Sequence, residues 1–154
     1  MAADAATAPP IVNGAHPGAQ PIELVIRLPQ HQETKVHLHL TILATSIVLF
    51  VSTSILDATN SGAAMGSFVY AMPDRYNPST PISTPLYSAP ASQDFSTRLA
   101  KLLVRKTGKL CYVGGSLNMS NASAGGTVEE EIQAFRAVVD VVVAEVMKAG
   151  EMSS

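Results

Sequence analysis

The sequence predicts a domain of mixed α and β structure, with strands first and helices later. Three observations carry that reading. Apolar residues alternate with others through Pro21–Leu28 and Thr34–Leu43. A fully apolar run, Ile47–Val51, follows them. Two later segments, one opening near Ser92 or Asp94 and one at Thr127, repeat apolar residues at helical spacing.

Residues 1–20 are mostly Ala, Pro, Gly and polar groups, too little apolar material to offset the entropy of ordering, so a disordered tail is expected there. One domain is expected over residues 21–150. Its first strand places Ile22, Leu24, Ile26 and Leu28 on one side and ends at Pro29. Gln30–Glu33 reads as a polar turn. The second strand sets Val36, Leu38, Leu40 and Ile42 against Lys35, His37, His39 and Thr41, so one face is wet or meets a partner. Ile47–Val51 is apolar at every position, as in a strand covered on both faces. Asp57–Gly62 is turn chemistry. Ala64–Met72 is a further strand, stopped by Pro73. Residues 73–92 carry Pro73, Pro78, Pro81, Pro85 and Pro90 and read as a long loop, stiffened by its prolines.

The first helix aligns Phe95, Leu99, Leu102 and Leu103 in one stripe, with Arg98, Lys101, Arg105 and Lys106 away from it. Its late cations suit the helix dipole and Gly108 suits the stop. Lys109–Gly114 is a strand with Leu110 and Tyr112 opposite Cys111 and Val113. Gly114-Gly115 and Gly125-Gly126 bracket a flexible connection. The second helix opens on a capping box, Thr127-Val128-Glu129-Glu130. Val128, Ile132, Phe135, Val139, Val142 and Val146 form its stripe, widened by Val138, Val141 and Val143. So much valine gives mediocre helix propensity, so packing must hold this helix.

Composition narrows function. The chain has 154 residues, 47% hydrophobic and 14% charged, with a net charge of −2. That balance gives no electrostatic case for nucleic acid. The lone Cys111 cannot form an internal disulfide and fits a reducing compartment. The first residues have no basic and apolar pattern of a signal peptide, so the sequons at Asn118 and Asn121 read as a polar turn. Val36–Leu56 lacks charge over a length that could span a bilayer. Its histidines, hydroxyls and β-branched residues favour two buried strands joined near Ala44-Thr45-Ser46, with a single-pass membrane anchor as the alternative.

Catalytic patterns are weak. His37 and His39 share a strand face and could start a metal site, the basis of a metal-dependent enzyme as a second alternative. No third ligand is evident, and a surface or interface pair fits better. Cys111 reads as a buried, inert thiol. Lys106-Thr107 ends a helix and lacks the glycines of a phosphate loop. No enzyme is expected. The basic helix face, with Arg75 and Tyr76 upstream, instead suits docking against another protein, the alternative being a solvated surface.

Val36–Leu40, Ala71-Met72 with Arg75-Tyr76, Ile82–Leu86, Arg98–Ala100 and Val104–Lys109 together resemble the proteasome assembly chaperone 4 family. Val36-His37-Leu38-His39-Leu40 is similar to its Val-His-Phe-His-Val strand, and Ala71-Met72 with Arg75-Tyr76 to its Ala-Met-x-x-Arg-Tyr segment. Ile82-Ser83-Thr84-Pro85-Leu86 is similar to its Val-Ser-Thr-Ser-Leu. Arg98-Leu99-Ala100 and Val104–Lys109 resemble its stretch ending Arg-Lys-Thr-Asn-Lys. Departures are the Ala/Pro tail, a longer turn at Asp57–Gly66 and a Gly-rich insertion at Ser120–Gly126, the tail and insertion suggesting a fungal-type version.

The resemblance implies an α+β fold, an antiparallel sheet with two helices on one face and the other face used for dimerisation. It implies a heterodimer with proteasome assembly chaperone 3. That pair would bind proteasome α-type subunits, chiefly the fifth, and guide α-ring formation in the cytoplasm and nucleus. It implies no cofactor, no catalysis, no nucleic acid and no membrane. The interface residues expected are Arg75, Tyr76, Arg98, Arg105 and Lys106 toward the ring, with His37 and His39 on the partner-facing strand.

Overall fold

The computed structural model describes residues 20–29, 31–55, 65–116 and 128–153. The expected tail up to residue 19, the Asp57–Gly62 turn, the sequons, the Gly-rich insertion and the capping-box Thr127 lie outside them. In chain order the elements are β1 (Ile22–Leu28), β2 (His31–Ile42), β3 (Ser46–Ile55), β4 (Ser67–Met72), β5 (Ile82–Tyr87), α1 (Gln93–Thr107), β6 (Leu110–Ser116) and α2 (Val128–Ser153). The strands form one six-stranded sheet in the order β1-β2-β3-β6-β4-β5. Every neighbouring pair is antiparallel except β3 with β6, which is parallel. The fold is α+β, as expected.

Register sorts side chains by face. Leu38 pairs with Val51 and Leu24, Leu40 with Leu49, Val113 with Leu49 and Val69. All of these except Leu24 are buried, and Leu24 packs against them. Because strand side chains alternate, one face collects the aliphatic core and both helices cover it. α1 lies over β4, β5 and β6, and α2 over β1 and β2. α1 buries Phe95, Leu99, Ala100, Leu103 and Val104, and α2 buries Ala134, Val138, Val139 and Val142. The helices meet where Phe95 sets its ring edge-on to Phe135 at 5.5 Å.

Val36–Leu56 is therefore no helix up to Ile55. It forms β2 and β3, turned at Leu43–Thr45, where the Leu43 N–H donates to the Ser46 carbonyl at 2.8 Å. Among the described residues no helix is long and apolar enough to cross a membrane.

Four local expectations change. The proline-rich loop contains a strand, β5, that the prolines conceal. It is an edge strand, where Pro85 need not break a ladder on its outer side, and it buries almost nothing. β2 begins at His31, inside the expected polar turn. α2 is rotated: Val138 lies at the centre of its buried stripe and Ile132 is 46% exposed. On β3 the second face is open, since Ile47, Leu49 and Val51 are buried while Phe50 is 41% exposed.

A hydroxyl cluster joins the β5–α1 connection to β4. Ser92 precedes α1 as a cap residue, yet its side chain makes no cap bond. Its Oγ accepts the Ser67 N–H at 2.9 Å and donates to Ser67 Oγ at 3.1 Å. Ser67 Oγ donates to the Ala89 carbonyl and accepts the Ala89 N–H, both at 2.9 Å. The chain must pass β6 closely here. A Cβ at Gly66 would run into the carbonyl of Gly115. At the other end of α1, Gly108 adopts φ 70°, and its N–H donates to the Val104 carbonyl at 2.8 Å.

We expect Gly66→Ala to lower the unfolding free energy by about 1–3 kcal/mol, the usual range for overpacking. Gly150→Ala, where an added Cβ meets nothing within 4 Å, should instead add about 0.5–1 kcal/mol through helix propensity. Urea denaturation of the two variants beside the parent checks both signs.

Candidate functional site

The face opposite the helices is aromatic at its centre. Phe50 on β3 pairs with Gly114 on β6, which pairs with Phe68 on β4. A Cβ at Gly114 would stand 2.6 Å from Phe50 Cδ1. Glycine thus leaves a gap in which the two phenyl rings stack across the strand, with centroids 5.9 Å apart and planes within 6°. The row continues from Phe68 to Tyr112 at 6.2 Å and from Tyr112 to Tyr70 at 4.8 Å. His39 extends it at the β2 side, edge-on to Phe50 at 6.3 Å. Around the row, Val25, Met72, Ile82 and Tyr87 are 39–54% exposed. A contiguous apolar sheet face is unusual on a lone soluble domain and marks a binding surface.

His37 and His39 both lie on this face, as expected from their spacing. His37 Nε2 sits 2.6 Å from Ser54 Oγ, and His39 Nδ1 is 3.8 Å from Glu23 Oε1. These are sheet-surface contacts. Among the described residues no group of three His, Cys, Asp or Glu is placed to hold a metal ion.

The basic candidates lie elsewhere, at one end of the sheet. Ala71 near the end of β4 pairs with Cys111 near the start of β6, so the loop after Met72 emerges beside the C-terminus of α1. Arg75 and Tyr76 are in that loop, and Arg105 and Lys106 close the helix. An Asx turn shapes the loop: the Tyr76 N–H donates to Asp74 Oδ1 at 2.9 Å. Tyr76 is 99% exposed, an aromatic ring held out into water. Lys109 is tied down, its Nζ donating to the Leu43 carbonyl at 3.0 Å.

Arg98 stands apart from that end. Its Nε is 3.2 Å from Asp94 Oδ2, its second terminal nitrogen is 3.3 Å from Glu131 Oε1, and its guanidinium carbon lies 5.9 Å from the centre of the Phe135 ring. It therefore links α1 to α2. With Lys106 it lines an interhelical groove of about 390 Å³ floored by Leu102, Ile132, Phe135 and Val139.

Cys111 is fully buried on the helix face. Burial pushes its thiol up from the ordinary 9.0 to about 12, against a weaker opposite pull from the Thr107 hydroxyl. A thiol held protonated is a poor nucleophile.

Sequence reading missed the aromatic row because its members are scattered over three strands. The available signal was the pairing of Phe68 and Tyr70 at alternate positions of one strand with Tyr112 on another.

These features define a two-layer α+β domain in which the described residues leave one sheet face open and give one helix a basic end. The family model of proteasome assembly chaperone 4 matches residues 35–117, and the chain belongs to that family. The matched span runs from β2 through β6 and so includes the aromatic row and the basic end. The fold is also similar to a chain in the crystal structure of a novel chaperone complex for yeast 20S proteasome assembly. The TM-score is 0.63 at 17% identity, over 84% of this chain and 98% of that one. Comparison with curated protein sequences gives no match.

The Cys111 thiol should label slowly with a disulfide reagent at pH 8 in the native protein and fully after unfolding. Linkage gives a second expectation. Between pH 9.0 and about 12 the unfolded thiol loses its proton while the folded one keeps it. This group therefore lowers stability as pH rises through that window, by up to about 1.4 kcal/mol per pH unit. Cys111→Ala should remove this contribution, so that its stability falls less steeply than the parent's in denaturant titrations across the window.

Proposed function

We propose that this protein is a non-catalytic chaperone of proteasome core particle assembly, with residues 21–150 as its working domain. In this reading its open sheet face packs against proteasome assembly chaperone 3, giving a heterodimer. The pair binds α-type proteasome subunits, chiefly the fifth, and guides α-ring formation in the cytoplasm and nucleus.

The observation that carries the reading is an aromatic row left uncovered by the described residues, on a chain of this family. A face of Phe50, Phe68, Tyr70 and Tyr112 supplies the apolar anchors typical of a stable protein interface. His37 and His39 fall within the same surface and would line its β2 side. The ring-facing contact is assigned to Arg75, Tyr76, Arg105 and Lys106, which the topology gathers at one end. Arg98 is assigned the supporting role of holding α1 against α2.

Affinity purification of the tagged protein from its own cells, read by mass spectrometry, tests the role. One small chaperone partner with α-type subunits and no mature β subunits is the expected set. Recovery of no proteasome subunit would overturn it.

Two variants separate the surfaces. Phe50→Asp places a charge within the apolar row and should weaken heterodimer formation at least about tenfold, because an interface there would bury an unpaired carboxylate. Arg105→Glu with Lys106→Glu should leave the heterodimer intact and reduce capture of the α subunit about tenfold at low salt, less at high salt. Equal capture at low salt would remove those residues from the contact. Co-expression pull-downs report both.

A further inference from the structure

Two Thr-Pro pairs occur in the sequence, Thr80-Pro81 and Thr84-Pro85. The fold treats them differently. Thr80 sits in a turn, its N–H donating to the Asn77 carbonyl at 3.0 Å, and Pro81 is buried. Thr84 and Pro85 are both exposed, in the extended backbone of β5. Among the described residues that strand has one neighbour in the sheet, β4, and Ser83 is the one residue of it that is not exposed. A segment held by one ladder with so little burial opens locally at small cost. An enzyme that modifies a hydroxyl before proline needs an extended segment, a free hydroxyl and a graspable proline ring. Thr84-Pro85 offers all three and Thr80-Pro81 does not.

We propose that Thr84 is a phosphorylation site for a proline-directed protein kinase, and that phosphate there keeps the open sheet face unoccupied. The second half rests on the reading of that face as the heterodimer surface. In the reaction, Thr84 Oγ1 forms a bond to the γ-phosphorus of ATP. The bond from that phosphorus to the bridging oxygen breaks, ADP leaves, and the hydroxyl proton passes to the kinase's base.

The placement explains the effect. Thr84 pairs with Tyr70, so both side chains share the open face, and Tyr70 packs on Tyr112 at 4.8 Å. Phosphate adds a charge of about −1.5 to −2. Among residues whose side chains are described, the charged strand residues of this face, Glu23, Arg27 and Lys35, all lie on β1 and β2. β2 is four strand steps from β5 in the sheet, roughly 19 Å at about 4.8 Å per step. The one cation of the β4–β5 hairpin is Arg75, exposed in its connecting loop. A dianion covered by a partner on this half of the sheet would thus lose water without a strand cation to replace it. Occupation and phosphorylation exclude each other, so a bound partner should equally shield Thr84.

The test incubates the full chain with a proline-directed kinase and MgATP and maps phosphate by tandem mass spectrometry. One phosphate on Thr84 is expected, kept in Thr80→Ala and lost in Thr84→Ala. No phosphate, or phosphate on Thr80 with Thr84 unmodified, overturns the site. Phosphorylated chain is then titrated with proteasome assembly chaperone 3. Binding at least tenfold weaker, restored by phosphatase treatment, supports the switch. Unchanged binding overturns the switch if Phe50→Asp still abolishes it. If Phe50→Asp also binds unchanged, the dimer-face reading fails along with it.

Discussion

The pairing of β6 between β3 and β4 is the constraint on which the rest of the molecule depends. Without β6 the strands form two separate pieces, the β1-β2-β3 meander and the β4-β5 hairpin. β6 joins them by a parallel ladder on one side and an antiparallel ladder on the other. A parallel pairing cannot be made by a tight turn, so the chain must arrive from a distance. The connection from β5 to β6 is α1, which crosses above β4 and buries Leu99 and Leu103 on the way. The crossing is close enough that Gly115 on β6 faces Ser96 of α1, where a larger residue would displace the serine hydroxyl. Helix, central strand and sheet continuity are therefore one arrangement.

The same strand determines the character of both faces. On the helix side, Cys111 and Val113 complete the core. On the other side, Gly114 stands between two phenylalanines. Its missing side chain lets Phe50 and Phe68 stack directly, which joins the aromatic residues of separate strands into one surface. Stacked rings lose little rotamer freedom when a partner covers them, because they are already ordered. A sheet with apolar groups on both faces and helices on only one is half a sandwich. That geometry explains why β3, apolar at every central position, reads as a doubly covered strand while the described residues cover only one of its faces.

How much of this was legible depended on whether the signal was local. α1 was legible in its stripe, its cations and its Gly108 stop, all set by neighbours in sequence. The faces of β2 and β6 were legible because alternation is a property of a single strand. β5 was not, since Pro81 and Pro85 mask a strand that is tolerated only at a sheet edge. The rotation of α2 escaped for a different reason: valines at 138, 139, 141, 142, 143 and 146 surround much of the helix, and only β1 and β2 decide which of them is inside. The antiparallel sheet implied by resemblance held except at β3–β6, where the register is tertiary. Arg98 belonged by sequence to a free basic face, but Glu131, 33 residues on, could be placed beside it only by the fold.

The two surfaces differ in chemistry as well as position, and the difference matches two kinds of binding. The aromatic face carries few charges, so its affinity would come from apolar burial, which depends little on salt and mostly slows dissociation. The helix end holds exposed cations beside a fully exposed Tyr76, so attraction there would act at longer range, speed encounter and weaken as salt rises. A lasting companion on the first surface and a passing client on the second is the arrangement the proposed role requires. Because β6 carries Tyr112 of the aromatic row and starts beside the end of β4, the row and the basic end are joined through one sheet. A companion on the row and a client at the basic end would therefore be held in one relative orientation by the sheet between them.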